Sequence, residues 1–344
     1  MLNNRQKKVL FCVVNEYIQN RKPVSSSRIL ESTDISYSSA TIRNDLKKLE
    51  YLGYVRHIHT SSGKVPTDKG YRFYIDSISE LIENMNNSKD MNAFTEYPQL
   101  NVSTIINHAA LLLSRTLPVV SVITKPRTDT LKIEAIRLHK TSDDYITVVL
   151  ITEIGMIDTQ TVLEKMDENS LKSVEKFLNV SLVGRTIEDI KGSLEDSDVL
   201  RKWKGTSVES VFDILKSIIE ESSSETYVVR GLENLISDDL IEQKSLRRFV
   251  LTLESPKRFY TFLEGFGKVN EPSVFVGSEH PQIGMDDFSS FIAPYKVNKE
   301  TVGFVLTIGA KAIDYQKAIS TTRYVGNRLT EMFTFLSRLG RIKK

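Results

Sequence analysis

Residues 38–52 carry the side chains of this sequence that are best suited to reading base-pair edges. On a helical wheel, Ile42, Leu46 and Leu49 fall on one side of this segment. The opposite side is small, polar and basic, and it consists of Ala40, Arg43, Asn44, Lys47 and Lys48. Arginine and asparagine form paired hydrogen bonds with guanine and adenine, and lysine neutralises phosphates. The pattern indicates a helix for the DNA major groove, although an ordinary solvated helix face looks the same.

Two further helices and a hairpin are predicted around this segment. Residues 4–21 repeat apolar side chains at helical spacing, and the serines at 25–27 can cap a short second helix. A brief turn then leads to the helix of residues 38–52, which ends at Gly53. Residues 54–67 alternate like a β-hairpin with a Thr-Ser-Ser-Gly tip. This order of elements predicts a winged helix-turn-helix.

We expect DNA contacts from three parts of this unit. The recognition helix reads bases, while the second helix adds a serine and an arginine. The hairpin, or wing, offers hydroxyl groups, backbone N–H groups and two cations for phosphate or minor-groove contact. The expected DNA-binding residues are Ser26, Arg28, Ser39, Thr41, Arg43, Asn44, Lys47, Lys48, Arg56, Thr60, Ser61, Ser62 and Lys64.

Charge is unevenly distributed along the 344 residues. Residues 1–80 hold 13 Lys and Arg against 8 Asp and Glu, a net charge of +5, whereas the whole chain carries only +2. A basic N-terminal unit on a near-neutral body favours a polyanionic partner at the front of the chain, although an excess of this size is common by chance.

The composition is that of an ordinary globular protein with two or three domains, at 40% apolar and 26% charged residues. No apolar run approaches the roughly 18 residues of a membrane helix, and the N-terminus lacks the apolar core of a secretion signal. Cys12 is the only cysteine, which is compatible with a reducing compartment. We therefore expect a cytoplasmic protein without a membrane partner.

Beyond the winged helix, the pattern predicts an α/β domain interrupted by a helical insert. After an asparagine-rich linker come a helix to about Thr116, several β-rich runs and a mainly helical stretch. We expect the strand at 144–155 to be covered on both faces and the strand at 301–309 to be half-buried. The predicted divisions are 1–84 for DNA binding, 85–101 for the linker, 102–165 and 225–344 for the α/β domain, and 166–224 for the insert.

Several segments resemble the HrcA family of heat-inducible transcription repressors. SSATIRNDLKKLEYLGYV and HTSSGKVPTDKGYRFYID are similar to the signature of that family, and the resemblance is dense from Leu2 to about Ile78. Collinear but weaker likeness follows in LVGRTIEDI at 182–190, VVRGLENL at 228–235, VFVGSEH at 274–280 and IGAKAIDY at 308–315.

This resemblance implies an α+β multidomain fold with a winged helix-turn-helix, a GAF-like α/β domain and a helical dimerisation domain inserted into the latter. It also implies a non-enzymatic negative regulator of heat-shock chaperone operons. The homodimer would bind an inverted-repeat operator in double-stranded DNA, and the GroEL chaperonin would maintain its activity until heat stress relieves repression.

The sequence departs from the family at positions that affect this transfer. Where the family usually has Gly-Pro-Thr-Arg-Met-Asp-Tyr, residues 309–315 read GAKAIDY, so no role of the family's arginine is transferred. Ser25 replaces a common glycine, and Lys64 replaces the usual wing arginine. Because lysine lacks the bidentate fork of arginine, we expect Lys64 to contact phosphate rather than bases.

Other functions have less support in the sequence. His57 and His59 are too few for a metal site, no catalytic motif is recognisable, and we expect no metal or cofactor. The alternative is a winged-helix regulator whose GAF-like domain responds to a small molecule. Phe304 and Leu306 could line its pocket, although ordinary core positions are the simpler interpretation.

Overall fold

The structure, a computed structural model, describes residues 2–32, 37–58, 63–84, 101–194, 227–282 and 284–339. Within these ranges the chain is α+β and multidomain, as predicted. None of the helices described there is long and apolar enough to cross a membrane. The wing-tip residues Thr60, Ser61 and Ser62, nearly all of the predicted linker and the predicted insert from 195 onward lie outside the described residues.

The N-terminal unit is a winged helix-turn-helix, in agreement with the sequence. Asn3 caps the first helix by accepting a hydrogen bond from the backbone of Gln6, and the helix ends at Arg21 in a left-handed conformation. The elements are α1 (Asn4–Asn20), α2 (Ser26–Ser32), α3 (Ser39–Tyr51), β1 (Val55–His57), β2 (Lys64–Pro66) and α4 (Asp68–Asn84).

The wing is fixed against the chain between the first two helices. Val24 and Lys64 exchange two backbone hydrogen bonds of 2.8 and 2.9 Å. The first residue of β2 is therefore paired with the segment between α1 and α2 as well as with β1. Gly63 packs closely on Pro23. A Cβ atom at position 63 would lie 2.6 Å from the backbone carbonyl carbon of Pro23, so this position requires glycine. The base of the wing is therefore held rigidly beside α2.

The body is built on a five-stranded antiparallel sheet that helices cover on both faces. The strand order is β7-β3-β10-β9-β8. Helices α5 and α11 cover one face, and α9 and α10 cover the other. The elements are α5 (Val102–Thr116), β3 (Val120–Thr124), β7 (Tyr227–Arg230), α8 (Leu232–Ile236), α9 (Gln243–Leu253), α10 (Pro256–Gly265), β8 (Ser273–Val276), β9 (Phe288–Val297), β10 (Glu300–Ala310) and α11 (Tyr315–Leu339).

A separate three-stranded sheet lies between β3 and β7 in the chain. It shares its own hydrophobic core with the two helices that follow it. Asn179 and Glu175 accept hydrogen bonds from the backbone N–H groups of Ile136 and Leu138, so a helix covers one sheet edge. The elements are β4 (Ile133–Lys140), β5 (Tyr145–Thr152), β6 (Ile157–Leu163), α6 (Glu168–Leu182) and α7 (Ile187–Leu194).

This arrangement differs from the division drawn from the sequence. The sequence assigns residues 102–165 to one α/β domain, whereas β4, β5 and β6 pair with each other and pack with α6 and α7. Thr124 and Tyr227 are register partners in the five-stranded sheet. The chain therefore leaves this sheet after β3 and returns opposite its point of departure at β7. The likeness of the sheet to a GAF domain stays a prediction.

The predicted burial of two strands is wrong, and the errors are opposite. Strand β5 was expected to be covered on both faces, but its side chains alternate between buried and less buried. Strand β10 was expected to be half-buried, but it lies at the centre of the covered sheet. There Thr307 is fully buried and pairs with Thr322 of α11 through their hydroxyl groups at 2.8 Å.

Candidate nucleic-acid interface

Helix α3 presents the polar, basic surface that its sequence predicts. Ser38 caps the helix by accepting a hydrogen bond of 3.2 Å from the backbone of Thr41. Ile42 and Leu49 are fully buried and Leu46 is 5% exposed, so the aliphatic side holds the helix on the core. The exposed side chains are Ala40, Arg43, Asn44, Lys47 and Lys48.

Buried carboxylates neutralise other cations of the unit. Asp45 lies on the inner side of α3 and accepts hydrogen bonds of 2.6 and 3.2 Å from the guanidinium group of Arg5. Glu16 is also buried, and it pairs with Arg28 at 2.7 Å. Among the described residues, the charge on the outer side of α3 is therefore left without a neutralising carboxylate.

The cations Arg43, Lys47 and Lys48 on α3 and Arg56 on β1 are exposed. None of them forms an ion pair with another residue in the described parts of the chain. The Nε of Arg43 donates a hydrogen bond of 3.4 Å to Ser26 Oγ, which brings two of the predicted DNA-binding residues together. The ammonium of Lys48 lies 5.0 Å from the ring centre of Tyr51.

Arg28 and Lys64 were expected to contact DNA, but in the structure both form ion pairs within the protein. Arg28 pairs with Glu16 in the protein, and this hydrogen bond raises its pKa above the ordinary value. The ammonium of Lys64 lies 2.7 Å from a carboxylate oxygen of Glu50, and its side chain is only 13% exposed. A phosphate contact by either residue would have to compete with an existing ion pair.

The remaining predicted contacts are placed as follows. Ser39 and Thr41 are half-buried in the first turn of α3, at the end that helix-turn-helix proteins direct toward bases. Arg56 is exposed on the wing, and its charge reaches Tyr17 of α1, where it opposes the rise that burial causes in the pKa of that phenol. The tip residues 60–62 are outside the described part of the wing.

A polar junction between α4 and the body was not predicted from the sequence. One carboxylate oxygen of Asp68 accepts a hydrogen bond of 2.9 Å from the backbone of Ser278, and the other lies 2.8 Å from the ammonium of Lys311. Burial raises the pKa of Asp68, but these hydrogen bonds outweigh it and lower the pKa. Arg72 also binds the carboxylate of Glu279. The DNA-binding unit is thus anchored to the sheet domain.

Aromatic rings complete this junction. The ring centres of Tyr71 and Tyr315 lie 5.7 Å apart, and those of Tyr74 and Tyr315 lie 6.3 Å apart. Phe73 instead packs on Tyr54 beside the wing at 5.6 Å. The aromatic residues of α4 therefore pack both beside the wing and on the body. The only sequence signal for the junction was this aromatic run after Asp68.

Two further expectations concern ligands. In the described part of the chain, no group of three or more His, Cys, Asp or Glu side chains is arranged to hold a metal ion. Phe304 lines a cavity of about 650 Å³ together with Tyr260, Met156 and Lys125, whereas Leu306 is buried in the core. Of the two residues proposed for a small-molecule pocket, one therefore borders a cavity.

Comparison with known proteins identifies the family. Residues 1–78 match the family model described as winged helix-turn-helix transcription repressor, HrcA DNA-binding, and residues 103–319 match the HrcA protein C-terminal domain. The chain belongs to the HrcA family. The expected family membership is confirmed, and the chain is a winged-helix, DNA-binding repressor of transcription of heat-inducible genes, in a family that is generally non-enzymatic.

Relatives of the HrcA family match over nearly the whole chain. The heat-inducible transcription repressor HrcA of Thermotoga petrophila is 35% identical over 342 residues, covering 98% of this chain and 96% of the relative. That of Halalkalibacterium halodurans is 28% identical and covers 98% and 99%. A crystal structure titled as a hypothetical protein matches with a TM-score of 0.65 at 32% identity, covering 97% of this chain and 98% of that one.

Proposed function

We propose that the chain represses heat-shock chaperone operons by binding an inverted-repeat operator as a cytoplasmic homodimer. The observation that carries this proposal is the exposed side of α3, where Arg43, Asn44 and Lys47 face solvent while Ile42 and Leu49 are buried beneath them. Such a helix can enter a major groove without rearrangement of its own fold. Lys48 and Arg56 supply further charge for the phosphates.

The small area with which a single winged helix contacts DNA favours a dimer. One winged helix makes few base contacts, whereas two copies related by a two-fold axis double them and match a palindrome. The inserted unit that contains β4–β6, α6 and α7 is the proposed dimer contact. Support comes from the outer face of its sheet, where Ile157 is 62% and Leu163 is 71% exposed. Lone apolar residues are common on surfaces, but these two share one strand and one face.

Dependence on GroEL follows from the family resemblance and from the general stability of proteins. Domains are stable by only about 5–15 kcal/mol, so heat enlarges the unfolded or undocked fraction. A chaperonin that refolds this fraction sets the active population, and damaged proteins that compete for the chaperonin reduce it. Derepression would then report the load of unfolded protein in the cell.

A footprint on DNA upstream of the organism's own chaperone genes tests this proposal. Protection of an inverted repeat by the full-length chain is the expected result, with loss of protection after a heat step and recovery when GroEL and ATP are added. Protection of a single half-site, or none, would contradict the dimeric operator complex. Unchanged protection through the heat step, without any effect of GroEL, would contradict chaperonin control.

A ligand-responsive regulator is the second candidate, because Phe304 borders a cavity of about 650 Å³. Titration calorimetry with a panel of metabolites tests it. Saturable binding that changes operator affinity and is lost in Phe304→Ala would favour this candidate. No binding by the panel, together with recovery by GroEL, would favour the chaperonin mechanism.

A further inference from the structure

A second cavity, of about 500 Å³ and partly open, lies at the junction of the DNA-binding unit and the body. One wall is helix α4, which contributes Arg72, Ile75 and Ser79. The other walls belong to β8, β9 and α11 of the body. The cavity is therefore bounded by both units whose relative position sets where the recognition helix lies.

Arg323 of α11 lines this cavity and has no ion-pair partner among the described residues. Its Nε atom is buried and has no hydrogen-bond partner among the described residues. Arg72, on the facing wall, is by contrast fully engaged by Glu279 and by the carbonyl oxygen of Val274 at 2.7 Å. A buried guanidinium N–H without an acceptor is costly, and an oxyanion is the ligand that matches its geometry.

Glu279 is the carboxylate among the described residues that line the cavity, and it is already occupied. Glu279 binds Arg72 and also accepts a hydrogen bond of 2.9 Å from the backbone of Val276. Because this carboxylate is satisfied, it does not neutralise Arg323. The cavity therefore keeps one cationic group available to an anion from solution.

Apolar side chains also line the cavity and favour an apolar body in the ligand. Ile75, Phe291 and Ile319 are almost fully buried at the cavity surface, and Phe275 completes this lining. A volume of about 500 Å³ exceeds that of a bare inorganic ion and is within the range of small-molecule sites. We propose that this cavity binds a small organic anion whose carboxylate or phosphate group pairs with Arg323 and whose apolar body packs on these side chains.

Such a ligand also regulates DNA binding, and this part rests on the proposed repressor function. An anion that contacts both α4 and α11 binds most tightly when the DNA-binding unit and the body are arranged as they are in this structure. By linkage, the ligand and the operator then change each other's affinity by the same factor. The cavity is thus an effector site that acts through the placement of the winged helix.

Titration calorimetry of the full-length chain with benzoate and with phenyl phosphate tests the site, with neutral benzamide as a control. We expect saturable binding of at least one anion and none of benzamide, and the anion that binds identifies the preferred head group. Arg323→Gln weakens this binding by about tenfold or more, whereas Arg338→Gln, an exposed position on the same helix, leaves it unchanged. Absence of binding by both anions, equal binding of benzamide, or unchanged binding in Arg323→Gln would overturn the proposal.

Operator affinity at saturating anion tests the regulatory part. We expect a several-fold change for the unmodified chain and for Arg338→Gln, and none for Arg323→Gln. Anion binding without any change in operator affinity would overturn the coupling while leaving the site intact. A chain that binds no operator at all would refute the repressor proposal instead, and calorimetry would still decide whether the anion site exists.

Discussion

Single side chains of α3 divide into those that hold the fold and those available to DNA. Asp45 is turned inward and binds Arg5, while Arg43, Asn44 and Lys47 are exposed. The wheel of the helix predicts the aliphatic and basic sides correctly. It also places residue 45 toward the buried side, but it does not identify the arginine of α1 that neutralises the Asp45 carboxylate.

Replacing Arg43 by Ala should weaken operator binding by about 1–3 kcal/mol and relax the base preference, because arginine reads guanine through two hydrogen bonds. Lys47→Ala is the matched control on the same helix face. It should weaken binding to operator and random DNA equally and reduce the salt dependence by about one phosphate contact. Quantitative gel shifts at several salt concentrations measure both effects. Equal losses on operator and random DNA for Arg43→Ala would rule out its role in base reading.

His280 should make folding stability depend on pH. Burial lowers its pKa, while the carbonyl of Gly277 and nearby carboxylates oppose that shift. Its Nδ1 lies 2.8 Å from that carbonyl oxygen and donates to it, and its Nε2 accepts from the hydroxyl of Ser290 at 2.8 Å. As pH falls below the unfolded pKa of about 6.5, the unfolded chain takes up a proton that folded His280 resists, so stability falls.

Chemical denaturation between about pH 7.5 and about pH 5.5 measures this dependence. The unfolding free energy of the unmodified chain should decrease toward the acidic end, and His280→Gln should flatten the decrease. His139→Gln, at an exposed position on β4, is the control and should retain it. An unchanged slope in His280→Gln would assign the pH dependence to other groups.

At the scale of helices and strands, local sequence patterns predict elements better than their partners. Helix α5 spans Val102–Thr116 as expected, because its apolar period and its cap at Asn101 are both local signals. The burial of β5 and β10 was assigned in reverse, since a strand pattern does not reveal which sheet covers it. For the same reason the sequence did not separate β4, β5 and β6 from the five-stranded sheet.

The junction of α4 with β8 depends on one glycine. Gly277 has a φ of 53°, and a Cβ atom there would lie 2.2 Å from a carboxylate oxygen of Asp68. Gly277→Ala should therefore combine left-handed strain with a clash and lower the unfolding free energy by about 2–4 kcal/mol. It should also accelerate hydrogen exchange in α4 because the docked helix loses its anchor.

Gly267→Ala is the matched control for this prediction. Gly267 has a φ of 73°, but nothing lies within 4 Å of the position that its Cβ would occupy. Its cost should be limited to about 1–2 kcal/mol of backbone strain, with hydrogen exchange of α4 unaffected. Equal effects of the two substitutions would mean that the contact between Asp68 and residue 277 does not stabilise the docking.

For the whole molecule, the register of β3 and β7 makes the inserted unit separable from the body. Thr124 and Tyr227 are opposite each other in adjacent antiparallel strands, so the chain between them can be replaced by a two-residue turn. The body that remains keeps both helical layers of the five-stranded sheet. It loses Leu131, Ile154 and Met156 from its own hydrophobic cluster, together with the separate core of β4–β6, α6 and α7. Excision also removes the hydrogen bond from Arg127 N–H to the Val302 carbonyl and the one from the Asn298 amide to Glu153.

Replacing residues 125–226 by Asn-Gly should thus convert the proposed dimer into a folded monomer. Light scattering measures the mass, and near-UV circular dichroism with cooperative unfolding shows whether the core remains folded. The monomer should bind an isolated half-site as the full chain does but lose the added affinity for the inverted repeat, because the two recognition helices are no longer tethered. A folded excision variant that remains dimeric would exclude the inserted unit as the main dimer interface, which would then lie outside residues 125–226.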